Sequence, residues 1–439
     1  MVERKLPKLD AAGSIPVSRS TRGPRIMRCI IRGNCFRGVC RPGLFSAMIE
    51  AAHGFSRYVS ASSRWFFTGF VSHAVPAVCA LLVLVSGCSR AVKPLSPDDT
   101  PKRHYLAGMK LLDDEDPSKP ETEFLRAIML GRKSPYGYSG MAALHLKRRN
   151  FQRAIRYVNR ALACDPGFAD AAFLKGRIFL AGNRGDRFGQ AERAFRRLLE
   201  LEPGSERALY FLGEALLGTY RFEEAKILFL QVAEKKGEYS SLAAGRIELA
   251  NLILDVKPAT ENGMRISLVE KASRVDLCSL LIGELKLKDL AKRYRLMRYE
   301  AIYHGVDGVR SIPPDIEERE DSRIMLDVMA LRLPHLDVYP NGDFYPDRPV
   351  TRAECALIIQ EIMEFLSDDP TLATRYADSE SPFQDVRPDY YAFNAIMLGV
   401  ERGFVRSDPA SGAFDPDGSV RGVDALLMIR VLQSIYAGN

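Results

Sequence analysis

The sequence predicts an all-α chain in two parts: a helical solenoid, then a helical bundle with long loops. Three observations carry that expectation. From residue 101 to 255 apolar residues recur at helical spacing. Within that stretch similar small and apolar residues return every 34 to 37 positions. From residue 265 to 437 short apolar helices follow capping-box residues, separated by charged, Pro/Gly-rich turns.

The leader, 1–87, stands apart in charge. It holds 12 Lys/Arg against 3 Asp/Glu, so the remaining 62 − 12 = 50 basic and 55 − 3 = 52 acidic residues leave 88–439 near −2. The net charge of +7 therefore belongs to the leader, and a nucleic-acid partner is not expected. Residues 1–47 are rich in Arg and Gly and lack periodicity, which fits translation beginning at Met48.

The most apolar run, Ala74 to Gly87, has about a dozen apolar residues, short of the roughly 20 a membrane span needs. The preceding RWFFTGF would extend it to that length. Arg57 and Arg64 precede it, as in a signal peptide. Its end, Leu84-Val85-Ser86-Gly87-Cys88, resembles a bacterial lipobox. That resemblance implies lipidation at Cys88 and an anchor in the outer membrane, more on the periplasmic side, or else in the inner membrane. Ser89 is not the aspartate that retains enterobacterial lipoproteins at the inner membrane.

After the linker 88–100 come the repeats, expected over 101–255. Ala142, Gly176 and Gly213 mark the small position of each first helix, spaced by 34 and 37 residues. Ala154, Ala191 and Ala225 mark the second helices, and the extra residues of the longer spacing fall in the loop AGNRGDRFG. An earlier unit, with Gly108 and Phe124, has Pro120 where the small alanine belongs and reads as a degenerate cap; a helix over SSLAAGRIELANLIL closes the array. The pattern resembles the tetratricopeptide repeat (TPR). That resemblance implies a groove, lined by the first helices, that binds a partner protein or peptide. Helical phase puts Tyr136, Lys147, Phe173, Arg177, Arg207, Tyr210 and Glu214 on it.

The bundle, expected over 265–437, opens its clearest unit with NGDFYPDRPVTRAE. Gly342, Phe344, Pro346 and Asp347 supply a turn, Thr351 and Glu354 a capping box, and Ile358, Ile359 and Ile362 a buried face. Between the cap residues, Arg352 is expected to point outward. These residues resemble the S-layer homology (SLH) motif. A second copy has Phe383, Asp385 and Val386 in its front half and Phe414, Pro416 and Asp417 in its back half. There T-R-A-E becomes Arg421-Gly422-Val423-Asp424. A third, upstream copy offers Ser273, Arg274 and Asp276, and IPPDIEERED is the eroded front half of the Asn341 copy. The SLH resemblance implies a pseudo-threefold helical prism that binds acidic wall glycan, peptidoglycan or an associated polysaccharide. It carries over to Arg352, Thr351, Asp347, Glu354 and Arg274, with Tyr391 stacking on a sugar ring.

No cofactor or metal is expected, and no enzyme activity. His104, His145, His304 and His335 are scattered, and no phosphate loop or H-E-x-x-H is present. Cys164, Cys278 and Cys355 read as buried small hydrophobes. The expected function is a lipid-anchored envelope scaffold that joins a membrane to wall glycan while the TPR groove holds a partner. The alternative is an assembly factor docking a secretion or polysaccharide-export machine, with the SLH-like part a spacer.

Overall fold

Small residues set against large ones build the array. The computed structural model describes residues 93–113, 118–183, 185–293, 312–367, 369–408 and 411–436, all within the unit Ala91–Asn439. The leader, Met48 and Cys88 lie outside the described residues. Sixteen α-helices occur among these, and none is long and apolar enough to cross a membrane.

The array comprises α1 (Pro101–Lys110), α2 (Ser118–Leu130), α3 (Pro135–Lys147), α4 (Phe151–Cys164), α5 (Ala169–Ala181), α6 (Arg187–Leu201), α7 (Glu206–Gly218), α8 (Phe222–Glu234) and α9 (Ser240–Val256). Consecutive helices pack as antiparallel pairs. On α4, Asn150 caps the first turn by accepting the Arg153 amide at 3.2 Å, and Ala154, Val158 and Ala161 are buried at helical spacing.

The repeat interval records a contact. A Cβ on Gly108 would stand 2.4 Å from the Phe124 ring, on Gly176 2.4 Å from Phe195, and on Gly213 2.7 Å from Phe229. Each glycine thus lets the partner helix seat a phenylalanine that is fully buried. Pro120 is tolerated because it falls in the first turn of α2, where its missing amide has no helical acceptor to lose.

The second part contains α10 (Glu261–Ser267), α11 (Arg274–Gly283), α12 (Leu287–Arg293), α13 (Ser322–Met329), α14 (Arg352–Ser367), α15 (Phe393–Glu401) and α16 (Gly422–Tyr436). Its axis is a closed ring of backbone hydrogen bonds. Ala272 N donates to Val420 O (2.8 Å), Val420 N to Val350 O (3.2 Å) and Val350 N to Ala272 O (2.9 Å). Each ring residue directly precedes the cap of a back-half helix: α11, α14 or α16. Around the ring α11 packs on α13, α14 on α15, and α16 on α10, so the three copies close on one another.

Numbered from here in chain order by their back-half helices, copy one holds α11, copy two α14 and copy three α16, and copies two and three share their turns. Tyr345 and Asp415 take left-handed φ of 55° and 56°, and Gly342 and Gly412 take 90° and 67°. The Asp315 carboxylate accepts the amides of Phe344 (3.0 Å) and Tyr345 (2.6 Å), and Asp385 accepts those of Phe414 (2.8 Å) and Asp415 (2.6 Å). Asp315 therefore marks the eroded front half. The front-half helix of copy one is α10, which begins at Glu261, four residues before the expected start at 265.

The two parts share one core, running from Ala191 to Tyr436. Their hinge is polar and saturated. Lys257, at φ 45°, ends α9 in the left-handed region. Arg430 of α16 then donates to Val256 O (2.6 Å), Lys257 O (2.7 Å) and Glu284 Oε2 (2.6 Å). A cation thus covers the carbonyl end of α9.

Candidate functional site

Two surfaces carry the candidate residues. The first is an aromatic and arginine ladder on the first helices of the array. Tyr136 joins Tyr105 (ring centroids 5.6 Å) and Phe168 (5.1 Å). Phe173 meets Phe211 at 5.4 Å, and Arg177 lies over Phe211 at 4.5 Å. Arg207 covers Phe173 at 5.0 Å and pairs with Asp170 at 3.0 Å. Tyr210 is buried against Phe211, Phe229 and Tyr239. Glu214 pairs with Arg246 at 2.7 Å, yet burial pushes its carboxyl above the ordinary carboxylate range.

The ladder unites five of the seven expected groove residues as a connected face: Phe173, Arg177, Arg207, Tyr210 and Glu214. Tyr136 belongs to its first aromatic group. Lys147 is exposed and donates to Leu112 O of the preceding repeat. Phe211, Tyr239 and Arg246 complete the ladder and were not foreseen, although Phe211 follows Tyr210 and Arg246 lies on the closing helix.

The second surface lies in the prism. Both expected capping boxes form: Ser273 N donates to Asp276 at 3.1 Å, and Thr351 N to Glu354 at 3.0 Å with Glu354 N returning to Thr351 Oγ1 at 3.2 Å. The two arginines differ from expectation. Arg274 is 4% exposed, and its guanidinium donates to Phe344 O (2.9 Å), His335 O (2.7 Å) and Asp337 O (2.9 Å). It presents nothing to a ligand, because the next copy's turn needs those donors. Arg352 does not point outward either. It covers the Phe414 ring at 4.6 Å and donates to Phe414 O (2.8 Å) and Arg406 O (2.6 Å), half-buried.

Arg348, half-buried like Arg352, is a further cation of this surface, at a position that the SLH resemblance does not point to. It donates to the Tyr339 hydroxyl and to Glu354, and lies over the Tyr339 ring at 5.5 Å. Tyr391, 67% exposed, packs on Tyr390 at 4.6 Å, and both rings stand within electrostatic reach of the Arg348–Glu354 pair. Asp347, exposed, pairs with Arg319 at 2.9 Å. An exposed tyrosine near a charged pair makes a surface for a polar, ring-shaped ligand.

In copy three Arg421 takes the threonine place and pairs with Asp424 at 2.7 Å. Gly422 takes the arginine place, where a Cβ would stand 1.7 Å from Ile266 O. Copy one's front-half helix α10, packed against α16, leaves no room for a side chain there.

Of the three cysteines among the described residues, Cys278 and Cys355 are buried, whereas Cys164 is only half-buried, with its thiol 3.9 Å from Arg132 O.

Models of the tetratricopeptide repeat match residues 140–188 and 185–246, and the model of the S-layer homology domain matches residues 336–356. The chain thus carries tetratricopeptide repeats followed by an S-layer homology segment. Cell surface glycoprotein 1 of Acetivibrio thermocellus is 32% identical over 106 residues. That match covers 24% of this chain and 4% of the relative's length.

Proposed function

We propose that the protein is a non-catalytic scaffold of the cell envelope, anchored by lipid at Cys88 to the outer membrane. Its prism holds wall glycan and its array holds a partner protein. The observation that carries the wall reading is the Arg348–Glu354 pair with the 67% exposed Tyr391 within its electrostatic reach. Guanidinium suits the carboxylate of an acidic sugar, and an exposed ring suits the apolar face of a pyranose. The S-layer homology segment and the likeness to a cell surface glycoprotein support the same compartment. Partner binding rests on the aromatic ladder, because preformed rings and arginines lose little side-chain freedom when a peptide settles on them.

Co-sedimentation with purified peptidoglycan sacculi carrying their attached polysaccharide tests the wall reading. The full chain should pellet with sacculi, and Tyr391→Ala or Arg348→Ala should weaken retention about tenfold. Retention unchanged in both variants, or a wild-type chain left in the supernatant, overturns it. Mass spectrometry of the mature N-terminus tests the anchor: a diacylglyceryl group on Cys88 is expected, and an unmodified Cys88 or a surviving Met1 excludes it.

A further inference from the structure

The turn joining α3 to α4 and the longer loop joining α5 to α6 face one another across an open cleft of about 1100 Å³. None of the ladder residues lines it. Its apolar wall is Phe151, Ile155, Ile178 and Phe179, and its charged residues are Arg148, Arg149, Arg156 and Arg187 with one carboxylate, Asp186, which pairs with Arg193. Asn150, whose amide oxygen caps α4, and Asn183 also line it. The longer repeat spacing has a structural result here, since the extended α5–α6 loop supplies one wall.

The charge of this edge is not neutralised as it is elsewhere on the array. On α6, Arg196 pairs with Glu192 and Arg197 with Glu200, and Arg221 beside α8 pairs with Glu192 and Glu224. From Lys147 to Arg160, by contrast, the sequence has six basic residues and no acid. Arg148 pairs with Glu121, but the side chains of Arg149, Arg153 and Arg156 have no ion pair among the described residues. The field reaches the helix beneath. His145 is 4% exposed and stacked on Tyr157 at 5.3 Å, and its Nδ1 has no partner. Burial first, then the charges of Arg148, Arg153 and Arg156, hold it below the ordinary histidine range, against Glu121.

We infer that this cleft is a second binding site of the array, for an acidic peptide segment that alternates carboxylate and apolar side chains. The inference rests on the reading that the array binds a partner protein, and adds a site distinct from the ladder. The occupant follows from the lining. The guanidiniums of Arg149 and Arg156, without an ion pair among the described residues, select carboxylates, which they bind through paired donors. The wall of Phe151 and Phe179 gains only if apolar side chains cover it. The amides of Asn150 and Asn183 can meet a peptide backbone. A uniformly charged polymer satisfies the arginines and leaves the wall wet, and a flat lipid surface does not enter a cleft between two turns.

The test measures fluorescence anisotropy of a short labelled peptide of alternating Glu and Leu with the full chain in detergent. The peptide should bind, more weakly as salt rises, and the double variant Arg149→Glu/Arg156→Glu should weaken it at least about tenfold. Both positions are exposed, so the variant should keep its circular dichroism and its melting temperature. Equal affinity in that variant overturns the site. So does equal binding of a Gln/Leu peptide, or of poly-Glu without leucines. Loss with Arg177→Glu in the ladder and not with the double variant overturns the cleft alone and leaves partner binding standing.

Discussion

Arg274 and Arg352 make the same contact in successive copies of the prism. Each Nε donates to the carbonyl of the next turn's phenylalanine, Phe344 at 2.9 Å and Phe414 at 2.8 Å. Each guanidinium lies 4.6 Å from the centre of that ring. The arginine of the motif is therefore a strut between copies, and the two struts differ in burial.

That difference sets a stability order. Arg274→Ala strands three carbonyls in a buried place and should cost about 2–4 kcal/mol. Arg352→Ala leaves carbonyls that water can reach, and should cost about 1–2 kcal/mol. Arg274→Lys should recover little, because a point charge cannot meet three acceptors in one plane. Urea unfolding measures all three, and a larger loss at Arg352 than at Arg274 would contradict the assignment.

Gly422 and Gly245 make a matched pair for the copy-three junction. A Cβ at 422 meets Ile266 O at 1.7 Å, and that oxygen belongs to backbone with no side-chain rotation to relieve it. Gly422→Ala should therefore cost at least about 3 kcal/mol. Gly245, exposed inside α9 with nothing within 4 Å of its Cβ, should gain about 0.5–1 kcal/mol on the same change. Thermal denaturation of the two variants decides it, and equal shifts would mean that the junction opens freely.

These contrasts show where sequence is legible. The Gly176–Phe195 and Gly213–Phe229 contacts can be read in advance, because a small residue facing a large one must recur at each repeat. The turns of copies two and three repeat their residues, and so their backbone. Copy one's front half could not be read, since α10 meets α16 through backbone atoms that any residue supplies. Nor could the direction of Arg352. A helix N-terminus gives its place, but the Phe414 ring that holds it comes from a distant turn. Arg348 was missed for a different reason: its partners Tyr339 and Glu354 are close in sequence, but only the fold of the turn between them brings the three side chains together.

The Glu284–Arg430 pair sets the acid limit of the junction. Glu284 is 3% exposed and accepts from Ala259 N, Thr260 N, Thr260 Oγ1 and Arg430. Burial opposes its charge, but the Thr260, Ala259 and Arg430 hydrogen bonds prevail and hold its pKa below the usual 4.5. A depressed carboxyl contributes stability above its unfolded pKa and loses it as pH falls through the folded value. Stability should thus hold above pH 4.5 and decline below it, and Glu284→Gln should flatten that decline. Arg430→Met, leaving the carboxylate buried with fewer partners, should cost about 3–5 kcal/mol at neutral pH. Chemical denaturation across pH reads both, and an acid limb unchanged in Glu284→Gln would remove the pair from that role.

Thiol reactivity gives an independent check on burial. Cys278 and Cys355 are fully enclosed, and burial pushes each thiol up to about 12. At pH 8 only about one such thiol in ten thousand is ionised. Alkylation must then wait for the prism to open, whereas half-buried Cys164 meets reagent in the native fold. Peptide mapping after iodoacetamide treatment should find Cys164 modified at least about a hundred times faster than either buried thiol. Denaturant should erase the ratio. Native Cys278 reacting as fast as Cys164 would mean that α11 is not packed against α13, and with it the closure of the three copies would fail.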